Sequence, residues 1–420
     1  MRYGLIGEKL SHSFSAQIHK QLFDYEYELK ELSPEQVADF MTARHFCAVN
    51  VTIPYKETVI PYLDVVDDVA LQIGAVNTVV NRDGKLYGYN TDFFGLRGLI
   101  MRSGIIIEGK KVLILGSGGT SKTAMVVVRQ LGCASVYRVS RTAKDGCIDY
   151  RQAKEKHADA QVLINTTPCG MYPNAGESPV CLDDYPSLSG VVDVVYNPLR
   201  TKLVCDALRR GIPAVGGLYM LVAQAAYAAE RFVGQSVSQE RVEAIYRSLM
   251  ADKENLVLVG MPSCGKTTVG QRLADLLQRP IVDTDARIVD KHGCSISTLF
   301  EQRGERGFRD CESAVIRDVA SMQGGIIATG GGAVLRPENI NRLRENGRIY
   351  FLDRSLSLLT ATEDRPLSST TVDLQRRYEE RHPIYSAVCD VRIEANGTPE
   401  TVANLIREDF LNEHFGDQRP

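Results

Sequence analysis

In GMPSCGKT, Gly260, Gly265, Lys266 and Thr267 stand at the GxxxxGK[ST] spacing, with the apolar run NLVLV before them and the amphipathic run TTVGQRLADLL after. A strand entering such a loop and a helix leaving it turn backbone N–H groups toward phosphates, while the lysine neutralises the terminal ones and the hydroxyl ligates Mg2+. Gly260, Pro262, Ser263, Cys264, Gly265, Lys266, Thr267 and Thr268 therefore read as a cradle for ATP or GTP. A second glycine turn, Gly116, Ser117, Gly118 and Gly119, follows KVLIL and opens the run GTSKTAMVV. Glycines let the backbone approach a pyrophosphate, and the free N–H groups of a helix N-terminus favour its charge. A bare GxGG also serves as a ligand-free strand-to-helix turn, so its weight comes from the βαβ context.

An NAD site usually has an acid at the end of the next strand to bind the ribose hydroxyl. Here that strand ends VSRTAK, and Ser140, Arg141, Thr142 and Lys144 offer hydroxyls and cations suited to the 2′-phosphate of NADP(H). Asp145 is the rival for that role, and the bland alternative makes Arg141 and Lys144 solvated loop charges. Substrate groups are sought upstream. LSHSFSAQIHK sets Ser13 and Ser15 before a helix, where both could equally be N-caps. NVTIPYKE brings Thr52 and Lys56 past a strand, and GAVNT and GYNTD add Asn77 and Asp92.

These residues need elements to hold them. The 420-residue chain is long for one domain, and roughly 150 residues per domain suggests two or three. With 49 basic and 52 acidic residues and no long basic run, nucleic acid is not expected as a partner. Ten scattered cysteines lack metal-ligand spacing, and neither a signal peptide nor an 18-residue apolar run is found, so a cytoplasmic, non-membrane protein is expected. From Met1 to about Asp92, strand runs YELKEL, CAVNVTI and AVNTVV alternate with helices such as SPEQVADFMTAR, where Ser33, Pro34 and Gln36 make an N-terminal signature. NTVVNRDGKLYGYN reads as a hairpin turning at Asp83-Gly84. KVLILG, SVYRVS, AQVLINTT, GVVDVVY and IPAVGG then order as a parallel, doubly wound sheet, followed by two helices. The polar break ADKEN puts the main boundary near 250–254.

In that order, S-x-S, N-V-T-x-P-x-K, G-A-x-N-T and N-T-D resemble the shikimate dehydrogenase family over about residues 1 to 250, and the likeness continues through NTTPCGMYP, VVYNPLRTKL and GGLYMLVAQAA. The resemblance implies reduction of 3-dehydroshikimate to shikimate by NADPH. It makes Asn165, Thr166, Gly217 and Met220 cofactor neighbours, and Ser13, Ser15, Thr52, Asn77, Tyr196 and Gln224 substrate ligands. Lys56 becomes the proton donor to the alkoxide, with Asp92 holding it; whether Lys56 itself titrates or the pair mainly polarises the carbonyl stays open. Ala16 departs from the family's proline after the second serine, a change bearing on loop stiffness more than on chemistry.

The acceptor of the second loop is sought in PIVDTDARI, whose Asp283 and Asp285 fall on one side of an extended segment. RGFRD adds Arg309, ATGGGAV adds Gly330, Gly331 and Gly332, EDRPLS adds Arg365 and ERHPIY adds Arg381, although arginines on helices often just pair with nearby acids. Their order resembles the shikimate kinase family across residues 253 to 410. The resemblance implies Mg2+ held by Thr267 and, through water, Asp283, with Asp285 binding the acceptor hydroxyl and taking its proton. Arg309 and Arg381 would clamp the acceptor carboxylate, Gly331 and Gly332 would offer backbone amides, and Arg365 on a lid would stabilise the transferred phosphoryl group. LSLLTATED lacks the basic residue that members often carry before the lid, which leaves the adenine contact and the nucleotide preference open.

The expected fold class is thus α/β. Residues 1–252 are expected to be dehydrogenase-like, with a substrate subdomain (about 1–100 and 218–252) and a Rossmann NADP subdomain (about 101–217), and residues 253–420 to form a P-loop kinase domain with a parallel sheet. The alternatives are a quinate/shikimate dehydrogenase joined to a kinase for another small hydroxy acid, or a non-catalytic sensor. A sensor is disfavoured because the reacting groups remain. Oligomeric state, monomer or homodimer, is left open.

Overall fold

A computed structural model describes residues 1–10, 14–359 and 371–416; Ser13 and Arg365 lie outside the described residues. The chain contacts form two units, Met1–Asn197 with Thr201–Tyr246, and Pro198–Arg200 with Arg247–Pro420.

The first unit holds two six-stranded sheets. In one, β1 (Tyr3–Gly7), β2 (Glu28–Glu31), β3 (Ala48–Val51), β4 (Val65–Val66), β5 (Thr78–Arg82) and β6 (Lys85–Tyr89) run in the order β2-β1-β3-β5-β6-β4. β5 and β6 form the expected hairpin, pairing Arg82 with Lys85, and Asp83 and Gly84 take φ of 52° and 83° as a two-residue primed turn requires. Helix Pro34–Ala43 starts as its signature predicts, the Gln36 side chain accepting the Ser33 N–H at 2.9 Å.

The other sheet of this unit is wholly parallel. β7 (Lys111–Leu115), β8 (Ser135–Ser140), β9 (Cys147–Asp149), β10 (Val162–Asn165), β11 (Gly190–Asp193) and β12 (Ala214–Val215) are ordered β12-β11-β10-β7-β8-β9. β9 is an edge strand too short to stand out in the sequence. Strand order reverses between β7 and β10, so the turns after those two strands open into one crevice, where α/β sheets bind ligands. Helices Asp92–Ser103 and Leu218–Val233 cross closely because Gly95 has no side chain. A Cβ there would lie 2.7 Å from the Met220 carbonyl oxygen and 2.9 Å from Gln224 Cβ. That approach fixes Met220 and Gln224 beside Asp92.

The second unit is one parallel sheet, β13 (Asn255–Val259), β14 (Ile281–Asp283), β15 (Ile326–Ala328), β16 (Gly347–Asp353) and β17 (Val391–Glu394), ordered β14-β15-β13-β16-β17. Every residue of β13 is buried, as expected of a central strand covered on both faces. Order reverses at β13, which places the turns after β13 and β15 together. Helix Ile296–Ala320 breaks at Gly304, whose φ of 65° interrupts the helical run five residues before Arg309.

Candidate functional site

In the first unit a cavity of about 550 Å³ lies beside the glycine turn after β7. Thr52, Lys56, Asn77, Asp92, Tyr196, Gln224 and Ser15 all line it, together with Gly217 and Met220. Lys56 leaves the loop after β3, and Asp92 is the first residue of helix Asp92–Ser103, an end that favours a carboxylate. Their side chains meet at 2.6 Å while staying 19% and 11% exposed, so the pair is desolvated but open to the cavity.

The neutral groups are oriented by their own bonds. Asn77 Oδ1 accepts from the Thr91 N–H at 2.7 Å, from Thr78 Oγ1 at 3.1 Å and from Thr91 Oγ1 at 3.2 Å, which leaves its amide N–H groups for the cavity. Gln224 Nε2 donates to the Leu221 carbonyl at 3.0 Å. Asn50 is a lining residue that opens the N-V-T-x-P-x-K pattern but has no role assigned by it. Its Nδ2 donates to Thr78 Oγ1 at 3.1 Å and its Oδ1 accepts from the Tyr27 hydroxyl at 2.7 Å. The signal was available, because Asn50 and Thr52 are two apart in an extended segment and so share a face. Behind this wall His19 stacks on Tyr27 at 4.0 Å, and burial lowers its pKa to about 3, so it stays neutral and serves as packing.

The nucleotide side of the crevice is shaped by positions where a side chain would collide. A Cβ on Gly116, at φ 123°, would lie 2.5 Å from Thr166 Oγ1, which itself donates to the Leu115 carbonyl at 2.6 Å. A Cβ on Gly217 would overlap the Val194 carbonyl. Gly118 and Gly119, next to Ser117 at the head of helix Gly119–Gln130, face open space. Asn165 is fully buried: its Nδ2 donates to Asp193 Oδ1 at 3.0 Å and its Oδ1 accepts from the Thr167 hydroxyl at 2.7 Å. Its side chain therefore braces the loop. Burial pushes the Asp193 carboxyl up to about 6, although Thr201, Val195 and Asn165 all donate to it. Beyond β8, the Ser140 hydroxyl ties to the Thr142 carbonyl, and Arg141 and Lys144 are exposed without an ion-pair partner among the described residues. Open glycines at a helix start and two unneutralised cations at the next strand end fit a phosphorylated dinucleotide.

In the second unit the loop after β13 is wound by unusual backbone angles, φ 150° at Gly260, 63° at Ser263 and 95° at Gly265, with Pro262 and Cys264 buried beneath it and Thr268 exposed. The Lys266 ammonium donates to the carbonyls of Gly260 at 2.9 Å and Met261 at 2.8 Å, which folds it back over the loop. Thr267 Oγ1 donates to Asp283 Oδ2 at 2.6 Å. One expectation is corrected here. Asp283 and Asp285 do not share an extended segment: β14 ends at Asp283, and Asp285 sits in the first turn of helix Thr284–His292. The reason is capping, since Asp283 Oδ1 accepts from the N–H groups of Asp285 at 2.9 Å and Ala286 at 3.2 Å.

Around Asp285 the expected acceptor residues converge. A Cβ on Gly330 would overlap Asp285 Oδ1, and one on Gly332 would overlap the Arg309 guanidinium. The Gly331 carbonyl accepts from Arg381 Nη1 at 3.1 Å and from the Tyr385 hydroxyl at 2.5 Å. Arg309 and Arg381 are 7% and 6% exposed. Glu312, a residue the sequence pattern did not single out, binds Arg309 Nη1 at 2.9 Å from one helical turn away. Burial raises its pKa, opposed by the Arg309 charge. All ten cysteines are free, and among the described residues no cluster of three metal-ligating side chains and no helix long and apolar enough to cross a membrane is found.

Comparison with known proteins adds two family matches: the shikimate dehydrogenase substrate binding domain over residues 5–79 and shikimate kinase over residues 262–410. A shikimate dehydrogenase (NADP(+)) of Clostridium beijerinckii is 36% identical over 261 residues, 58% of this chain and 96% of the relative. Among solved structures, shikimate dehydrogenase 1 of Peptoclostridium difficile is 39% identical with a TM-score of 0.54, covering 59% of this chain and 98% of its own. A chorismate mutase/shikimate 5-dehydrogenase fusion protein of Clostridium acetobutylicum is 34% identical with a TM-score of 0.55, covering 59% of this chain and 96% of its own.

Proposed function

The chain belongs to the shikimate dehydrogenase family and carries a shikimate kinase domain after it, and from that premise we propose that it reduces 3-dehydroshikimate with NADPH and then phosphorylates shikimate with ATP to shikimate 3-phosphate. The dehydrogenase occupies residues 1–252 and the kinase 253–420 in this reading. The observation that carries it is that each glycine turn has its own reacting groups within its own unit: Lys56 and Asp92 with the first, Asp285, Arg309 and Arg381 with the second.

NADPH, when bound, supplies the hydride to the ketone carbon. Lys56 gives a proton to the oxygen on which negative charge develops, and Asp92 holds the ammonium against the helix start so that little reorganisation is needed. Thr52, Asn77, Ser15 and Gln224, with Ser13, bind the ring hydroxyls and carboxylate; a site built of oriented amides and hydroxyls discriminates against an analogue lacking one hydroxyl. Arg141, Thr142 and Ser140 receive the 2′-phosphate.

ATP with Mg2+, when bound, supplies an activated phosphoryl group. Asp285 accepts the proton of the attacking hydroxyl, while Arg309 and Arg381 hold the acid's carboxylate in the planar geometry that guanidinium groups favour. Lys266 leaves its two carbonyls to meet the terminal phosphates. Thr267 would ligate the Mg2+ and Asp283 would help to hold it through water, an assignment supported by their 2.6 Å contact at the loop's end. Arg365, which lies outside the described residues, would stabilise the transferred phosphoryl group, as the kinase resemblance implies. Use of NADPH and ATP, with ten free thiols, suits the cytoplasm.

The test incubates the full chain with 3-dehydroshikimate, NADPH and MgATP and follows both products. Lys56→Ala is expected to stop NADPH oxidation and leave phosphorylation of supplied shikimate; Lys266→Ala is expected to do the reverse. Loss of both activities from either folded variant would sink the two-site reading.

A further inference from the structure

We propose that the Tyr385 hydroxyl is a positioning group for the kinase acceptor: by fastening the Gly331 carbonyl it aims the Gly332 N–H at the bound acid, an inference that rests on the kinase reading above. Tyr385 lies on helix Thr371–Val388 one turn beyond Arg381, so the two side chains share a face. It is fully buried, with its ring stacked on Phe351 at 5.1 Å. A buried phenol needs a partner, and this one donates to the Gly331 carbonyl at 2.5 Å. Burial pushes the hydroxyl well above the ordinary tyrosine range, although the Arg381 charge beside it pulls the other way, so it stays protonated and remains a donor.

The backbone groups of Gly330, Gly331 and Gly332 show what that bond is for. The Gly330 N–H donates to Thr284 Oγ1 at 2.9 Å, and the Gly330 carbonyl accepts from the Ala333 N–H at 3.1 Å. The Gly332 carbonyl accepts from the Leu335 N–H at 3.0 Å. Tyr385 and Arg381 Nη1 together fill the two lone pairs of the Gly331 carbonyl. Two donors are left over, the N–H groups of Gly331 and Gly332, which meet no acceptor among the described residues although Gly332 is buried.

The Gly331 carbonyl and the Gly332 N–H belong to one trans peptide plane, so they point opposite ways and fixing one fixes the other. Two glycines in a row give this plane no side chain to steer it, and its direction depends on the carbonyl's partners. Arg381 is an imperfect anchor, because in the kinase reading it also turns to the acceptor carboxylate. Tyr385 has no second duty, and it keeps the plane in place while Arg381 engages the ligand. The plane sits where the acceptor and nucleotide groups meet: a Cβ on Gly332 would overlap the Arg309 guanidinium, and one on Gly331 would lie 2.9 Å from Pro262 Cδ in the phosphate loop.

The test uses the full chain with shikimate and MgATP. Tyr385→Phe keeps the ring and removes only the hydroxyl. It is expected to raise KM for shikimate roughly five- to tenfold, the loss of one aimed hydrogen bond, with kcat and KM for ATP within about twofold. A hydroxyl that only stabilised the fold would lower the active fraction, and with it kcat, and leave both KM values in place. In wild type carrying isotope-labelled glycine, shikimate should slow hydrogen exchange at the Gly332 amide, a measurement that needs no variant, and Tyr385→Phe should lose most of that protection. Equal KM for shikimate in wild type and Tyr385→Phe, or a Gly332 amide left unprotected in shikimate-bound wild type, would overturn the assignment. A wild-type chain that neither binds nor phosphorylates shikimate would instead overturn the kinase reading.

Discussion

Replacing Gly332 by alanine tests whether the second unit's acceptor site depends on where Arg309 is held. Gly332 has φ −100° and ψ −2°, which alanine adopts without strain, so the backbone should not object. The added Cβ, however, would overlap the Arg309 guanidinium, and that side chain has to move. Moving it breaks the 2.9 Å contact with Glu312, whose side chain is only 1% exposed and finds no water to replace its partner. A hydrogen bond to a charged group contributes about 1.5–3 kcal/mol, which corresponds to roughly a 10- to 150-fold loss. The usual gain from Gly→Ala through the unfolded chain, about 0.4–1 kcal/mol, is smaller. We predict that Gly332→Ala lowers kinase kcat/KM for shikimate by that factor, mostly through KM, while NADPH oxidation by the first unit continues and reports folded enzyme. The decisive assay is a double-mutant cycle. In an Arg309→Ala background, adding Gly332→Ala should cost almost nothing further. An equal cost in both backgrounds, or no cost in either, would refute the account.

Other expectations follow from charge. Arg141→Ala should raise KM for NADPH by roughly tenfold and leave KM for NADH unchanged, the loss of one phosphate contact; equal effects on both cofactors would remove Arg141 from the 2′-phosphate site. Stability should depend on pH in opposite senses in the two units. Asp193 has its folded pKa raised from 3.8 to about 6, so the folded state holds the proton more tightly and the first unit loses stability as pH rises from 3.8 through 6, on the order of 3 kcal/mol. For Glu254, burial pushes upward, but the hydrogen bonds and charges of His414 and Arg200 outweigh it and hold the carboxyl at about 2 against an ordinary 4.5. Its contribution is present above pH 4.5 and is lost as pH falls through 2. Urea unfolding across pH, followed by the loss of each activity, should show the first slope flattened by Asp193→Asn and the second by His414→Ala; unchanged slopes would refute these roles.

Much of this chain was legible because its chemistry is local. A phosphate loop needs glycine, lysine and a hydroxyl at fixed spacing, so Gly260 to Thr267 announced themselves, and the turn at Asp83-Gly84 and the start at Ser33-Pro34 follow from backbone preferences of single residues. The family patterns carried Lys56, Asp92, Arg309 and Arg381 in the right order. What the sequence did not show was which side chains face them. Asn50 and Glu312 were passed over because asparagine in a strand and glutamate on a helix are common, and each gains meaning only from its contacts with Thr78 and Tyr27, or with Arg309. The change of direction at Asp283, where a carboxylate caps a helix and carries Asp285 out of the strand, was misread as extension because a two-residue period looks the same until a cap competes with it. Lys56 and Asp92, 36 residues apart, meet at 2.6 Å, and Gln224 joins them through the bare backbone of Gly95. Sequence thus determined the kinds of groups and their local turns, since those depend on neighbouring dihedrals and hydrogen bonds. Distances between remote side chains, and the solvent left around their charges, depend on how whole elements pack, and only the tertiary structure decided them.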